Sequence, residues 1–247
     1  MRFKLTIEYD GTPFCGWQRQ AHDLSVQQVL EDAIHKFSGE TVTLHVAGRT
    51  DAGVHARANV AHFDLVKETD ADTVRDAVNF HVRPHRVVIR EVEAVSEEFH
   101  ARFSAQARSY QYTILNRRAP PALLADQVWH VAKPLKFIAM QEAANMLIGH
   151  HDFSTFRAQH CQSNSSLKTL DRLDISAEGE IITFYTRARS FLYHQVRNMV
   201  GTLALVGTGQ WSLDDFKTAF AARDRSKGGP TAPPQGLVFW EVYYPGD

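Results

Sequence analysis

The sequence predicts an α+β fold of two ferredoxin-like (split βαβ) halves with mainly antiparallel sheets. Three observations carry this. Apolar residues alternate with polar ones in several short runs, the period of a half-buried strand. Between those runs lie stretches whose apolar residues recur every three or four positions, the period of an amphipathic helix. The two kinds follow the order β-α-β-β-α-β, and that order then returns with extra elements.

Phe3, Leu5, Ile7 and Tyr9 alternate and predict the first strand. Ser25-Val26-Gln27-Gln28 reads as a capping box. Val26, Val29, Leu30, Ala33, Ile34 and Phe37 then follow a helical stripe that Gly39 closes. Thr41 to Val46 and Arg57 to Leu65 alternate as two further strands. Asp72 is read as the cap of a helix through Val74, Ala77 and Val78, and a strand follows from Arg86 to Val95. In the second half, Tyr110, Tyr112 and Ile114 alternate, and 136–148 is read as a helix. Leu173 and Ile175 pair across Glu178-Gly179 with Ile181, Thr183 and Tyr185. A longer helix carries Leu192, Val196, Met199, Val200 and Leu203. Ser212-Leu213-Asp214-Asp215 caps another, and a strand to Tyr244 follows. No sequence identity links the halves, so the repeat is architectural. A boundary near Glu97 to Ser104 gives an N-terminal half, 1–103, and a C-terminal half, 104–247, around a central cleft.

A chain of 247 residues with 44% apolar content can bury a sizeable core and is not disordered. No apolar run reaches the roughly 18 residues of a membrane span. Met1-Arg2-Phe3-Lys4-Leu5 enters a strand and has no signal-peptide core. Cys15 and Cys161, without paired spacing, argue against a disulfide scaffold or a zinc cluster, and a reduced, cytoplasmic protein is expected. Net charge is −1, so nucleic-acid binding would need a local basic surface. Its candidate pieces are Arg83, Arg86 and Arg90; Arg102 and Arg108; Arg117 and Arg118; Arg187, Arg189 and Arg197; and Arg223, Arg225 and Lys227.

One loop stands out. Ala47-Gly48-Arg49-Thr50-Asp51-Ala52-Gly53-Val54-His55-Ala56 joins two predicted strands, and a hairpin needs little more than Asp51-Ala52-Gly53 to turn. The extra residues place an arginine two before the aspartate and a histidine four after it. A carboxylate beside a cation on such a loop suits a nucleophile or base facing a polyanion. A plain turn with a solvated Asp-Arg pair is the competing reading.

The loop resembles the signature of the TruA family of tRNA pseudouridine synthases, in which Gly-Arg-Thr-Asp-x-Gly-Val-His-Ala surrounds the catalytic aspartate. Further matches follow in the same order along the chain. They are Glu8-Tyr9-Asp10-Gly11, Gly16-Trp17-Gln18-Arg19-Gln20, Phe99-His100-Ala101-Arg102-Phe103-Ser104, Tyr110-x-Tyr112, Gly149-His150-His151-Asp152-Phe153, Phe191 to Gly201, and Gly229 to Leu237. The resemblance implies a tRNA uridine isomerase acting on the anticodon stem-loop at positions 38, 39 and 40. It also implies a homodimer and a two-lobed architecture.

Under that resemblance Asp51 is the catalytic carboxylate. The reaction breaks N1–C1′ and joins C5 to C1′, so no electron is lost and neither cofactor nor metal is needed. The carboxylate can attack C1′, as a retaining glycosidase nucleophile does. It can instead add to uracil C6 or remove the C2′ proton. Arg197 matches the family's partner of the aspartate; by position alone it is an exposed arginine on a polar stripe. Tyr110 matches the active-site tyrosine, with a core strand residue as its alternative. Tyr112 points to the opposite face. Arg49 is read either as a phosphate or Asp51 partner, or as a planar group that fills the gap of a flipped uridine. These make Tyr110, Arg49 and Arg197 the expected substrate-binding residues. His55 serves equally as a loop-holding residue or an RNA contact.

His150, His151, Asp152, His160 and Cys161 look metal-like, but adjacent histidines do not face one another and the spacing closes no four-ligand set. Lys168 stands where relatives often carry arginine, and Arg108-Ser109-Tyr110 has one basic residue where they often have two. Two other functions remain open. A carboxylate-dependent nucleoside hydrolase would release free uracil. A non-catalytic RNA-binding module would bind tRNA with or without Asp51.

Overall fold

The computed structural model describes residues 1–246. They form two compact units, one of Met1–Arg108 with Val238–Asp247, the other of Ser109–Leu237.

The first unit opens with β1 (Arg2–Tyr9), in which Phe3, Leu5, Ile7 and Tyr9 are buried. Helix α1 (Val26–Ser38) starts at Ser25, whose Oγ accepts from Gln28 N at 3.2 Å, and ends at Gly39 in the left-handed conformation. Only His45–Val46 forms a strand, β2, where alternation predicts one from residue 41. The reason is local: the buried Leu44 N–H donates to Glu31 Oε1 of α1 at 3.1 Å instead of to a ladder. Next come β3 (His55–Asp64), α2 (Ala71–His81) and β4 (Val87–Val95). The α2 cap is Asp70, not Asp72: Asp70 is extended and accepts from Thr73 N at 2.9 Å, while Asp72 lies inside the first turn. Strand β1 pairs antiparallel with β3 on one side and β4 on the other, and β2 pairs antiparallel with β3. That is the split βαβ order. Strand β10 (Leu237–Tyr243) lies parallel beside the start of β3, with Val238 opposite His55 and Phe239 opposite Ala56. The Arg57 guanidinium sits 4.5 Å from the Trp240 ring centre and clamps this junction.

The second unit follows the same order, with extra elements, as far as its helices. Strand β5 (Ala107–Leu115) enters it at Ser109 and takes the short β6 (Trp129–His130) as a parallel partner. Helix α3 covers Phe137–Asn145, shorter than the predicted 136–148 because a turn carries the chain into β7 (Gly149–Asp152). Strands β8 (Leu167–Glu178) and β9 (Ile181–Ala188) form an antiparallel hairpin, with β7 on the outer edge of β8. Helix α4 (Gln195–Gly207) is buried on most sides. Helix α5 (Leu213–Ala221) carries a full capping box between Ser212 and Asp215. Among the described residues no helix is long and apolar enough to cross a membrane.

Candidate active site

The chain from β2 to β3 is held from below by the rest of the first unit. Thr50 is buried, Asp51 half-buried and Arg49 exposed, so the three side chains leave the loop in different directions. The Thr50 carbonyl accepts from Trp17 N at 3.0 Å, and Asp51 forms an isolated bridge with Gly16. Val54 N closes the turn on the Asp51 carbonyl at 3.1 Å. Two glycines make the approach possible. A Cβ on Gly11 would lie 2.1 Å from the Val54 oxygen. One on Gly16, itself at φ +112, would lie 2.6 Å from the Thr50 oxygen.

Three buried side chains complete the support. Tyr9 Oη and Thr50 Oγ1 share a hydrogen bond of 2.8 Å. Asn59 Nδ2 donates to the Gly48 carbonyl at 2.9 Å and to Tyr9 Oη at 3.3 Å. The Arg108 guanidinium donates to the Ala47 carbonyl through Nε and Nη2, at 3.3 and 3.1 Å, and to the carbonyls of Ala105 and Arg102. Burial pushes the Tyr9 hydroxyl up to about 12, with the nearby Asp51 charge adding to it. Asp51 thus acts electrostatically on the side chain that anchors its neighbour. His55 is buried and belongs to the support: its Nδ1 accepts from Gly11 N at 3.0 Å and lies 3.1 Å from Asp10 Oδ1. Burial would raise the Asp10 carboxyl, but the Thr12 hydroxyl and amide, Arg86 and His55 bring it down to about 2. Among the described residues Arg49 makes no hydrogen bond and no ion pair with Asp51, which leaves its planar group facing solvent.

Tyr110 and Arg197 lie in the second unit. Tyr110 is half-buried, with the Phe191 ring set edge-on to it at 5.0 Å. Tyr112 is fully buried on the other face of β5 and donates to the Pro233 carbonyl at 2.8 Å. Burial pushes its hydroxyl up, and the Arg197 charge works against that. Arg197 is half-buried. Its Nε donates to the Ala232 carbonyl at 2.8 Å, and its own carbonyl accepts from Ala232 N at 3.1 Å. The segment 229–234 therefore lies along α4. A Cβ on Gly201 would meet the Pro230 oxygen at 1.8 Å. Arg225 fastens this segment, donating to the Gly229 carbonyl, Thr231 Oγ1 and Asn198 Oδ1.

Two arginines of the sequence-based basic surface are thus structural: Arg108 is buried and Arg225 is bound to carbonyl and side-chain oxygens. Arg83, Arg90, Arg102, Arg187 and Arg189 are exposed. Sequence reasoning missed Tyr9, Asn59 and Arg108 as supports of the loop. Tyr9 lay inside a matching motif without an assigned role, and nothing local marks the other two. The metal-like cluster is not assembled as one. His151 Nε2 is engaged by the Ile148 carbonyl at 2.9 Å and His150 Nδ1 by Thr169 Oγ1 at 3.0 Å. Among the described residues no group of three or more His, Cys, Asp and Glu side chains is placed to hold a metal ion.

The half-buried Asp51 carboxylate thus stands on a backbone held by hydrogen bonds on both sides. Residues 5–104 and 143–245 match the family model described as tRNA pseudouridine synthase. The tRNA pseudouridine synthase A of Rhodospirillum centenum is 59% identical over 243 residues, covering 98% of this chain and 99% of that protein. That of Paramagnetospirillum magneticum is 58% identical over 243 residues, covering 98% and 95%. That of Rhodospirillum rubrum is 52% identical over 247 residues, covering 100% and 89%. The two matched segments include the Asp51 loop with all its supports but Arg108, and the identity runs through both units, so the chain belongs to the tRNA pseudouridine synthase family.

Proposed function

We propose that this protein isomerises uridine to pseudouridine in the anticodon stem-loop of tRNA, at positions 38, 39 and 40, with Asp51 as the nucleophile. The observation that supports this most is the fixed loop: Tyr9, Asn59 and Arg108 hold the chain on either side of a carboxylate that stays half-exposed. Rigid support is what chemistry on a single carbon requires, since small misplacements of a reacting group cost large factors in rate. Asp51 acts on the nucleotide while N1–C1′ breaks. The uracil turns, C5 bonds to C1′, the C5 proton leaves and N1 gains one. Atoms balance without an electron donor, so the reaction calls for no cofactor and no metal.

Tyr110, Arg49 and Arg197 are proposed as the substrate-binding residues. Tyr110 presents a half-buried ring on which uracil can stack. Arg49 presents an exposed planar cation suited to the gap or flanking phosphate of a flipped nucleotide. Arg197 supplies a cation that favours an ionised carboxylate. A cytoplasmic homodimer is part of the same reading. Asp51→Asn tests it: pseudouridine mapped in unmodified tRNA should be absent with the variant, while melting temperature and tRNA affinity stay near wild type. Turnover by well-folded Asp51→Asn, or release of free uracil by the wild type, would exclude the reading.

A further inference from the structure

A second charged site lies in the second unit, at the β7–β8 edge. It is a cavity of about 550 Å³ lined by Arg157, Arg223, His150, Asn164, Ser165 and Ser166, with Asp152 in its wall. Two arginines share the cavity with that single carboxylate. Arg157 is fixed, its Nη2 donating to the carbonyls of Cys161 and Ser163 at 3.0 and 2.7 Å. Lys168 on β8 reaches Ser163 Oγ at 3.2 Å. Asp152 Oδ1 accepts from Ser154 N and Oγ at 2.9 and 2.6 Å, which occupies that oxygen. Burial would raise this carboxyl, but Ser154, Ser166 and Arg223 hold it below its usual range, and it stays ionised.

Arg223 is the unusual member. It directly follows Ala222, the C-cap of α5, and has φ +53. Helices commonly end on a left-handed residue at this place, and glycine takes it without strain, whereas arginine does not. No short contact offsets the strain: among the described residues the exposed Arg223 guanidinium makes no hydrogen bond and no ion pair, and it acts on Asp152 only as a longer-range charge. An arginine kept where glycine fits better, with a planar head at the mouth of a hydroxyl- and amide-lined cavity, is arranged for an external oxyanion. The protein has a net charge of −1, so a polyanion must be met at local sites of this kind.

We propose that this cavity binds a phosphodiester of the tRNA backbone, with Arg223 as the reaching cation and Arg157 as the fixed one. This rests on the reading of the protein as a tRNA-modifying enzyme. The contact positions tRNA and carries no base information.

Arg223→Gly separates the two roles an arginine can have here. Relief of the backbone strain should hold or raise the melting temperature. Binding should weaken at every salt concentration, and the slope of log affinity against log salt should become shallower by about 0.7–0.9, the loss of one phosphate contact. Arg223→Asn, which also tolerates the left-handed conformation, should give the same change. Unchanged tRNA affinity and slope in both variants would overturn the proposal. Inorganic phosphate is the second probe. If its stabilisation of the wild type is lost in the variants while their tRNA slope is unchanged, the cavity takes free anions and the proposal fails. Pseudouridine formation by the wild type, read separately, tells failure of this site from failure of the proposed function. Product formation with an unchanged slope overturns only the phosphodiester site.

Discussion

Two loops of this protein carry charge to the surface, and they are built in opposite ways. The Asp51 loop is held from outside itself. Its bonds come from Tyr9 on β1, Trp17 before α1, Asn59 on β3 and Arg108 on β5, and the nearer glycines let its backbone sit against other backbone. The segment 157–166 beside the phosphate cavity is held mostly by itself. Arg157 grips the carbonyls of Cys161 and Ser163, Ser163 Oγ donates to the Ser165 carbonyl, and Ser165 Oγ accepts from Leu167 N. A reacting carboxylate must be placed to a fraction of an ångström, which calls for supports on rigid strands. A phosphate contact tolerates adjustment, because a charge attracts over several ångströms. The difference in construction matches the two tasks proposed for these loops.

The contrast can be broken most directly at Arg108. Arg108→Met leaves the buried carbonyls of Ala47, Ala105 and Arg102 without that donor, and hydrogen bonds from charged groups are worth about 1.5–3 kcal/mol each. We expect a loss of about 3 kcal/mol or more in chemical denaturation, with turnover falling in the part of the population that remains folded. A near-neutral Arg108→Met would mean that the loop does not depend on outside support. Tyr9→Phe is the next step down. It removes one hydroxyl shared with Thr50 and Asn59, at a cost of about 1 kcal/mol. Single-turnover rates should fall while tRNA affinity does not, because the change acts on placement of the carboxylate. Ser163→Ala should do least. It removes hydrogen bonds in a self-held surface segment, and stability should stay within about 0.5 kcal/mol of wild type by urea titration. If Ser163→Ala costs as much as Tyr9→Phe, the two loops are not different in kind.

The order of elements was legible in the sequence because alternation and helical stripes are local signals. What residues alone do not show is which group satisfies a given backbone amide. The alternation of Val42, Leu44 and Val46 predicts strand, yet the Leu44 N–H is taken by Glu31 from a helix 13 residues earlier. Asp70 and Asp72 both suit a helix start, and only the extended backbone at Asp70 decides between them. The last strand, with Leu237 and Phe239, reads as a strand but gives no sign that it lies beside β3. Asp51, Arg49, Tyr110 and Arg197 are candidates through motifs that resemble a known family. The supports of the Asp51 loop were not legible. Arg108 looks like one more surface cation between an alanine and a serine, and Asn59 is a polar residue in an alternating run. Each has a partner far off in sequence, Tyr9 for Asn59 and Ala47 for Arg108.

The placement of β10 has a consequence for how the enzyme is made. Val238 and Phe239 pair with His55 and Ala56, directly after the Asp51 loop, and the Phe239 ring packs where a Gly48 side chain would be, 2.5 Å from its Cβ position. A ribosome delivers residues 47–56 nearly two hundred residues before it delivers these partners. Tyr9, Asn59 and Arg108 emerge much earlier, so a nascent chain can assemble most of the loop's supports but not its last one. Contacts that distant in sequence close late, since chain entropy opposes them until little else remains to fold. Synthesis itself thus withholds a finished Asp51 loop until β10 has emerged, and a chain stalled before β10 would carry the aspartate without its full frame.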